Sequence, residues 1–429
     1  MTKPDKKIFP IKKGVACQLK WTWNTISLRS GITQSCHRVA GVPLELDNFD
    51  NFHNYPTWIK HRELLLEGIF PDQGCQYCGD IEKAGGTSDR MQMANMENMY
   101  PPELDTDPLA THVTPRILEV FLDNTCNLAC VYCGDSYSSR IEKENKKFGS
   151  DFPGVPKKLQ SIRLPRSDNH EQLTDKFFLY LEKNYSNLRR LHILGGEPFY
   201  QKAFPRLIEF VKNNNNPNLE LNVVTNLMGK ESVIQKFVDD MKKVVAKRKL
   251  KRLDITASID GYGKSEEYVR YGLDLDHWKK NFEMIASNKW IYLSVNSTIT
   301  SLTIHNMSSL IDYIKSVSTK TGNKINHEFG LVVGHPELHP KIFGPGFFDD
   351  YFEEIIFKLS QQFSQEGKEK AMLDYMTGIK NLIDTSLENL EYQYYLRLSL
   401  EEYDRRRGTN WKENFPHLVK KLENLEKPA

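Results

Sequence analysis

Residues 117–133 read ILEVFLDNTCNLACVYC. The first seven form a short apolar run of strand length. The last eight carry three cysteines spaced C-x3-C-x2-C. A structural zinc site closes with four ligands, and a two-cysteine redox motif uses a single pair; three thiols within eight residues fit neither. A cubane iron–sulfur cluster has four irons, each needing an outer ligand. Cys126, Cys130 and Cys133 would fill three corners and leave one iron to a chelator from outside the chain. Spacing alone leaves a partial zinc knuckle, with its fourth ligand elsewhere, as the alternative.

Working outward, short apolar runs recur at 190–196, 219–226, 253–260, 291–300 and 325–333. Between them lie stretches with apolar residues at helical spacing, such as AFPRLIEFVKNN and SVIQKFVDDMKKVVAK. Strand alternating with helix is the pattern of a parallel sheet. Six such units predict an α/β fold, an open and partial (β/α)6 version of the eight-stranded barrel. Its working residues should collect at the C-terminal ends of the strands. The segment 134–189 exceeds one crossover, and its polar, proline-containing middle reads as an inserted loop or lid. After about residue 345 the pattern is helical.

The later strand ends carry signals of their own. LGGEP (194–198) closes the second run, where glycines let backbone approach a ligand. VVTN closes the third, ASIDG the fourth, and EEYVRYG follows. Singly, each has an ordinary role: Asn226 as a helix cap, Asp260 in a turn, Arg270 in a surface ion pair. Together, in strand order, and with Tyr132 just before the third cysteine, they resemble the radical S-adenosylmethionine (SAM) superfamily. The resemblance implies a [4Fe–4S] cluster on Cys126, Cys130 and Cys133. It implies SAM contacts from Tyr132, Gly195, Gly196, Glu197, Pro198, Asn226, Ser258, Asp260, Arg270 and Asn296. Among these, Glu197 lies in the motif for the SAM amino group, Ser258 and Asp260 face ribose hydroxyls, and Arg270 pairs with the carboxylate. It further implies that an electron from flavodoxin or ferredoxin splits SAM into methionine and a 5′-deoxyadenosyl radical, which takes a hydrogen atom from substrate.

Cys17, Cys36, Cys75 and Cys78 remain of the seven cysteines, all before the predicted barrel. Four thiolates with one CxxC pair suffice for zinc or for a cubane. The resemblance extends here to the SPASM and twitch subfamilies, which implies a second, auxiliary [4Fe–4S] cluster, although the better-known members carry that domain after the barrel. The expected layout is an N-terminal cysteine-rich auxiliary domain over 1–110, the partial barrel over 111–345, and a helical extension over 346–429. His37, beside Cys36, reads as a bystander.

The 429 residues are 39% apolar with net charge +2, so no strong field points to nucleic acid or membrane. KKVVAKRKLKR (242–252) reads as the solvated end of a helix entering a strand. MTKPDKKIFPIKKGV lacks the apolar core of a signal peptide, and an odd cysteine count argues against a disulfide framework; the cytoplasm is the expected compartment. RRRG (405–408) could meet an anion or could be a charged loop. His335 and His339, after the sixth run, read either as residues that meet substrate or as residues of a proline-flanked turn. Trp21 and Trp23 read as packing residues. The expected substrate is a peptide undergoing oxidative modification, with a sugar, cyclitol or amino acid as the alternative. A non-enzymatic zinc scaffold is the third reading.

Overall fold

The computed structural model describes residues 17–71, 73–83, 88, 90–91, 110–159, 163–362 and 367–427. The N-terminal basic segment and most of 84–109 lie outside this set. Eleven strands are described: β1 (Trp23–Ser27), β2 (Ile32–Gln34), β3 (Val42–Pro43), β4 (Ile117–Phe121), β5 (Ala129–Cys130), β6 (Arg190–Leu194), β7 (Asn216–Thr225), β8 (Leu250–Ser258), β9 (Arg270–Tyr271), β10 (Tyr292–Ile299) and β11 (Ile325–Leu331). Nine make one sheet in the order β11-β10-β8-β7-β6-β4-β1-β2-β3. The six runs read from the sequence are β4, β6, β7, β8, β10 and β11, each parallel to its neighbour.

The pleat explains why these segments are strands. In β7, Leu219, Leu221 and Val223 are buried, and so are the intervening Glu220 and Asn222. A strand covered on both faces can carry charge only where partners are built in. Glu220 bonds Arg190, Lys251 and Arg252, and Asp254 bonds Arg190 and Arg252. This network lies toward the strands' N-terminal half, away from the cysteine loop.

The N-terminal segment continues the sheet. β1 pairs in parallel with β4, and β2 and β3 follow antiparallel. Every residue of β1, WNTIS, is buried, and one apolar cluster runs from Leu19 and Trp23 through the strands to Ile325. The sheet and its core therefore cross residue 110. In the long segment after β4, Ser139–Phe148 and His170–Asn184 are helices. Among the described residues between them the one regular element is the short 3-10 turn Lys157–Leu159, so the expected lid begins later than the sequence suggested. After β11 the described chain is helical: Asp349–Gln362, Gly367–Asp384, Leu390–Arg407, Trp411–Asn414 and Pro416–Leu422. Among the described residues no helix is long and apolar enough to cross a membrane.

Candidate cluster and SAM site

Because β4, β6, β7, β8, β10 and β11 are parallel, the loops that follow them emerge at the same edge of the sheet. The cysteine loop leaves β4 there. It is held by its own backbone: Cys126 N–H donates to Ser139 Oγ at 3.1 Å, and Cys133 N–H to the Cys130 carbonyl at 3.1 Å. Cys130 lies opposite Arg270 in the short β5–β9 ladder.

Burial pushes the Cys126 and Cys130 thiols up to about 12 and about 11, and Cys133 is also raised. The sulfurs feel one another: Cys130 raises both Cys126 and Cys133. Two N–H groups point at Cys126 Sγ, from Leu128 N at 3.4 Å and Asn226 Nδ2 at 3.8 Å. Among the described residues no group of three or more His, Cys, Asp or Glu side chains is arranged to hold a metal ion. One zinc would need sulfurs about 3.8 Å apart, from a Zn–S bond of about 2.3 Å and tetrahedral angles. A cubane spreads its ligands over separate irons.

The turn after β6 has Gly195 at φ +79° and Gly196 at φ +61°. At Gly196 a Cβ would come within 2.6 Å of the Thr125 carbonyl and 2.9 Å of the Asp123 carbonyl, so only glycine lets this turn approach the cysteine loop. Gln201, which the sequence reading missed, straps the two together, donating to the carbonyls of Asp123 and Gly195 at 2.9 and 2.6 Å. Glu197 is fully buried. It accepts from Thr225 Oγ1 at 2.7 Å, Asn226 N at 2.6 Å and Phe199 N at 3.3 Å. Burial outweighs those donors and pushes its carboxyl up to about 7. Its carboxylate thus clasps the ends of β6 and β7 together. Pro198 opens the turn that follows.

Asp260 and Arg270 are likewise committed to each other. Arg270 donates to both Asp260 oxygens at 2.8 and 2.9 Å and lies 3.3 Å from Glu266. Asp260 also accepts from Tyr132 Oη at 2.5 Å and Thr298 N at 2.7 Å. A buried guanidinium needs a carboxylate, and here Asp260 supplies one. Thr225, Glu266 and Thr298 are further missed members of this site; strand-end position was the only signal for them. Ser258 and Asn296 face each other across β8 and β10, both half-buried.

A cavity of about 60 Å³, open at its mouth, adjoins the loop. Cys130 and Cys133 line it, with residues of the 134–163 segment, His335 and Glu337 after β11, and Ser399, Tyr403 and Arg407 of the Leu390–Arg407 helix. The irregular segment docks on that helix: Phe152 packs edge-on against Tyr403, and Arg406 stacks 4.4 Å over Phe152. RRRG is therefore a helix end, with Arg406 buried and the Arg407 side chain packed in, and not a free loop. His339 accepts from Lys341 N in a turn.

At the other end of the chain, Cys36, Cys75 and Cys78 are buried and Cys17 is half-buried. Burial, then Cys36, pushes the Cys17 thiol up to about 12, with Cys78 adding to it. Lys20, 2% exposed, donates to Ser35 Oγ at 2.9 Å and has no carboxylate partner among the described residues. His37 is exposed beside Cys36.

No protein-family profile matches the chain. A probable GTP 3′,8-cyclase of Methanococcus vannielii is 25% identical over 202 residues, covering 47% of this chain. The match spans 56% of that relative's length.

Proposed function

We propose that this chain is a radical SAM enzyme, on a likeness to a GTP 3′,8-cyclase, itself a radical SAM enzyme, that supports this superfamily. The observation that carries the reading is the gathering of the three-cysteine loop, the Gly195–Gly196 turn and Asn226 at the same ends of adjacent parallel strands. Three half-buried thiols, raised well above the ordinary cysteine value and close enough to raise one another, fit a metal cluster, because bound iron lets a sulfur stay ionised. The N–H groups aimed at Cys126 fit the same state. When bound, a [4Fe–4S] cluster on these cysteines supplies the electron that cleaves SAM to methionine and a 5′-deoxyadenosyl radical.

The chain's own residues position and shield. The turn at Gly195–Pro198 receives the SAM amino group, while Asn226, Ser258 and Asn296 line the nucleoside side. The Tyr132–Asp260–Arg270 hub fixes the cysteine loop through the β5–β9 ladder. The N-terminal quartet holds an auxiliary [4Fe–4S] cluster. Buried Lys20 supports that assignment, since a thiolate-bound centre offers the counter-charge that it otherwise lacks. An auxiliary cluster with four protein ligands has no iron free for substrate and suits electron transfer, with flavodoxin or ferredoxin as donor to the SAM cluster.

Of the two substrate classes, the small cavity beside the loop favours a small molecule over a peptide. GTP itself does not carry over from the relative's name. Asp135, Glu144 and Glu337 line the cavity, Arg407 is already paired with Glu144 and Arg163 with Asp135, and a polyphosphate would meet like charge. Anaerobic reconstitution tests the reading. Two clusters give about eight irons per chain, and reduction with SAM present should release 5′-deoxyadenosine. Absence of that product from iron-loaded protein overturns it.

A further inference from the structure

Asn226 follows β7 directly and stands beside the cysteine loop, with its side-chain amide held at both ends. The oxygen accepts from Met228 N at 2.9 Å. The nitrogen donates to Asn127 Oδ1 at 2.9 Å and to Cys126 Sγ at 3.8 Å. The backbone N–H is fixed as well, on Glu197 Oε2 at 2.6 Å, and the residue is only 7% exposed. Turning the amide over would set its NH2 group against the Met228 N–H, donor against donor, so the donor end stays on the sulfur.

Cys126 thereby receives two N–H groups, the other from Leu128 N at 3.4 Å. Leu128 lies two residues along the same loop, whereas Asn226 reaches the sulfur from another strand end, a hundred residues away in sequence. A neutral thiol is a weak acceptor and gains little from either donor. A metal-bound sulfur carries negative charge, and hydrogen bonds to charged groups are the stronger class. Hydrogen bonds to the sulfurs are among the features that set the reduction potential of an iron–sulfur centre. Added electron density makes a sulfur a better acceptor, so a donor fixed in advance favours the reduced form. The charges around Cys130 act in opposite directions, Arg270 lowering its thiol while Asp260 and Glu266 raise it. The amide on Cys126 has no such opponent on its own side chain.

We propose that Asn226 sets the reduction potential of the SAM cluster, its Nδ2–H on Cys126 Sγ making that cluster easier to reduce. The proposal rests on the radical SAM reading. It gives Asn226 a role apart from lining the nucleoside side, because the amide acts on the cluster before SAM arrives. Acting through Cys126, Asn226 is a positioning residue.

Redox titration of the anaerobically reconstituted full chain without SAM, followed by electron paramagnetic resonance, tests it. The component to follow is the one that replacing Cys126, Cys130 and Cys133 together removes. Asn226→Leu takes away the donor at similar volume, and Asn226→Ala does so without adding bulk. Each should shift the one-electron reduction of that component about tenfold toward the oxidised form, the weight of one hydrogen bond to a charged group. That is a potential about 59 mV lower. The other component should stay in place, and Ser258→Ala, on the nucleoside side, should move neither. Iron content and thermal melting report loading and folding, and if one Asn226 variant fails to load, the other decides. A wild-type potential in a loaded Asn226 variant overturns the proposal. So does an equal shift in Ser258→Ala, which would trace to general loosening, or loss of iron from both Asn226 variants, which would make Asn226 a support for the loop alone. Deoxyadenosine release by the wild type with SAM and reductant is scored separately. If it occurs while the potential stays fixed in the variants, only the tuning role falls; if iron-loaded wild type releases none, the radical SAM reading falls.

Discussion

Alanine at position 196 should damage the cysteine loop from a distance. Gly196 sits at φ +61°, a region that costs an L-residue about 1–2 kcal/mol. Its new Cβ would stand 2.6 Å from the Thr125 carbonyl, 2.6 Å from Gln201 Nε2 and 2.9 Å from the Asp123 carbonyl. Two of these are backbone atoms. The Thr125 carbonyl is already held by Glu197 N at 2.8 Å, and the Asp123 carbonyl by Gln201, so the strain passes to the residue before Cys126. Overpacking of this kind costs about 1–3 kcal/mol, for a total of about 2–5 kcal/mol. Gly334 provides the comparison: its φ is +82°, and a Cβ there meets nothing within 4 Å, so Gly334→Ala should lose only the backbone share. Denaturant unfolding under anaerobic conditions, with iron counted on each variant, measures both. If Gly196→Ala unfolds at the same denaturant concentration as Gly334→Ala and keeps all its iron, the close-approach reasoning is wrong.

Three further outcomes follow from the geometry. Asp260→Ala strands the Arg270 guanidinium with Glu266 alone and should cost about 3–5 kcal/mol in denaturant unfolding; a loss under 1 kcal/mol would mean the hub is solvated. His53 and His327 are held down to about 3, in both cases chiefly by burial. Their unfolded value is near 6.5, so their contribution is complete above that pH and is lost as pH falls toward 3. The slope from the pair approaches about 2.7 kcal/mol per pH unit, and the double replacement by Gln should flatten the pH–stability curve between pH 6 and 4. Lys20→Met removes the buried positive charge beside Cys17. It should lower the reduction potential of the N-terminal centre or its iron content, read by anaerobic redox titration and iron assay; unchanged values would show that Lys20 answers to some other group.

The alternation of strand and helix made the six central strands legible, because strand length and helical spacing are local properties. IYLSVNSTIT at 291–300 became Tyr292–Ile299, and SVIQKFVDDMKKVVAK lies within Glu231–Ala246 but for its last lysine. The basic run behaved as read: the helix ends at Ala246, and the chain re-enters the sheet at Leu250. β1 was not legible. Five residues between two cysteines carry too little periodicity, and only its parallel pairing with β4, about ninety residues on, makes WNTIS a strand. The site divided in the same way. The cysteines and Gly195–Gly196 announce themselves by type and spacing. The partners of Glu197, Asp260 and Arg270 are decided by which strand ends become neighbours, and no local pattern reveals that Arg270 is spent on Asp260. The cavity was hidden for the same reason: Glu337 and Arg407 are seventy residues apart in sequence and come to line one cavity only when the Leu390–Arg407 helix packs beside the turn after β11.

The central claim is an iron corner left to SAM by Cys126, Cys130 and Cys133. Electron paramagnetic resonance of the anaerobically reconstituted, reduced protein, recorded with and without SAM, tests it most directly. The account predicts that SAM changes the spectrum of one cluster and leaves the other untouched, and that replacing the three cysteines together removes the responsive signal. A reduced cluster whose spectrum is identical with and without saturating SAM would contradict it.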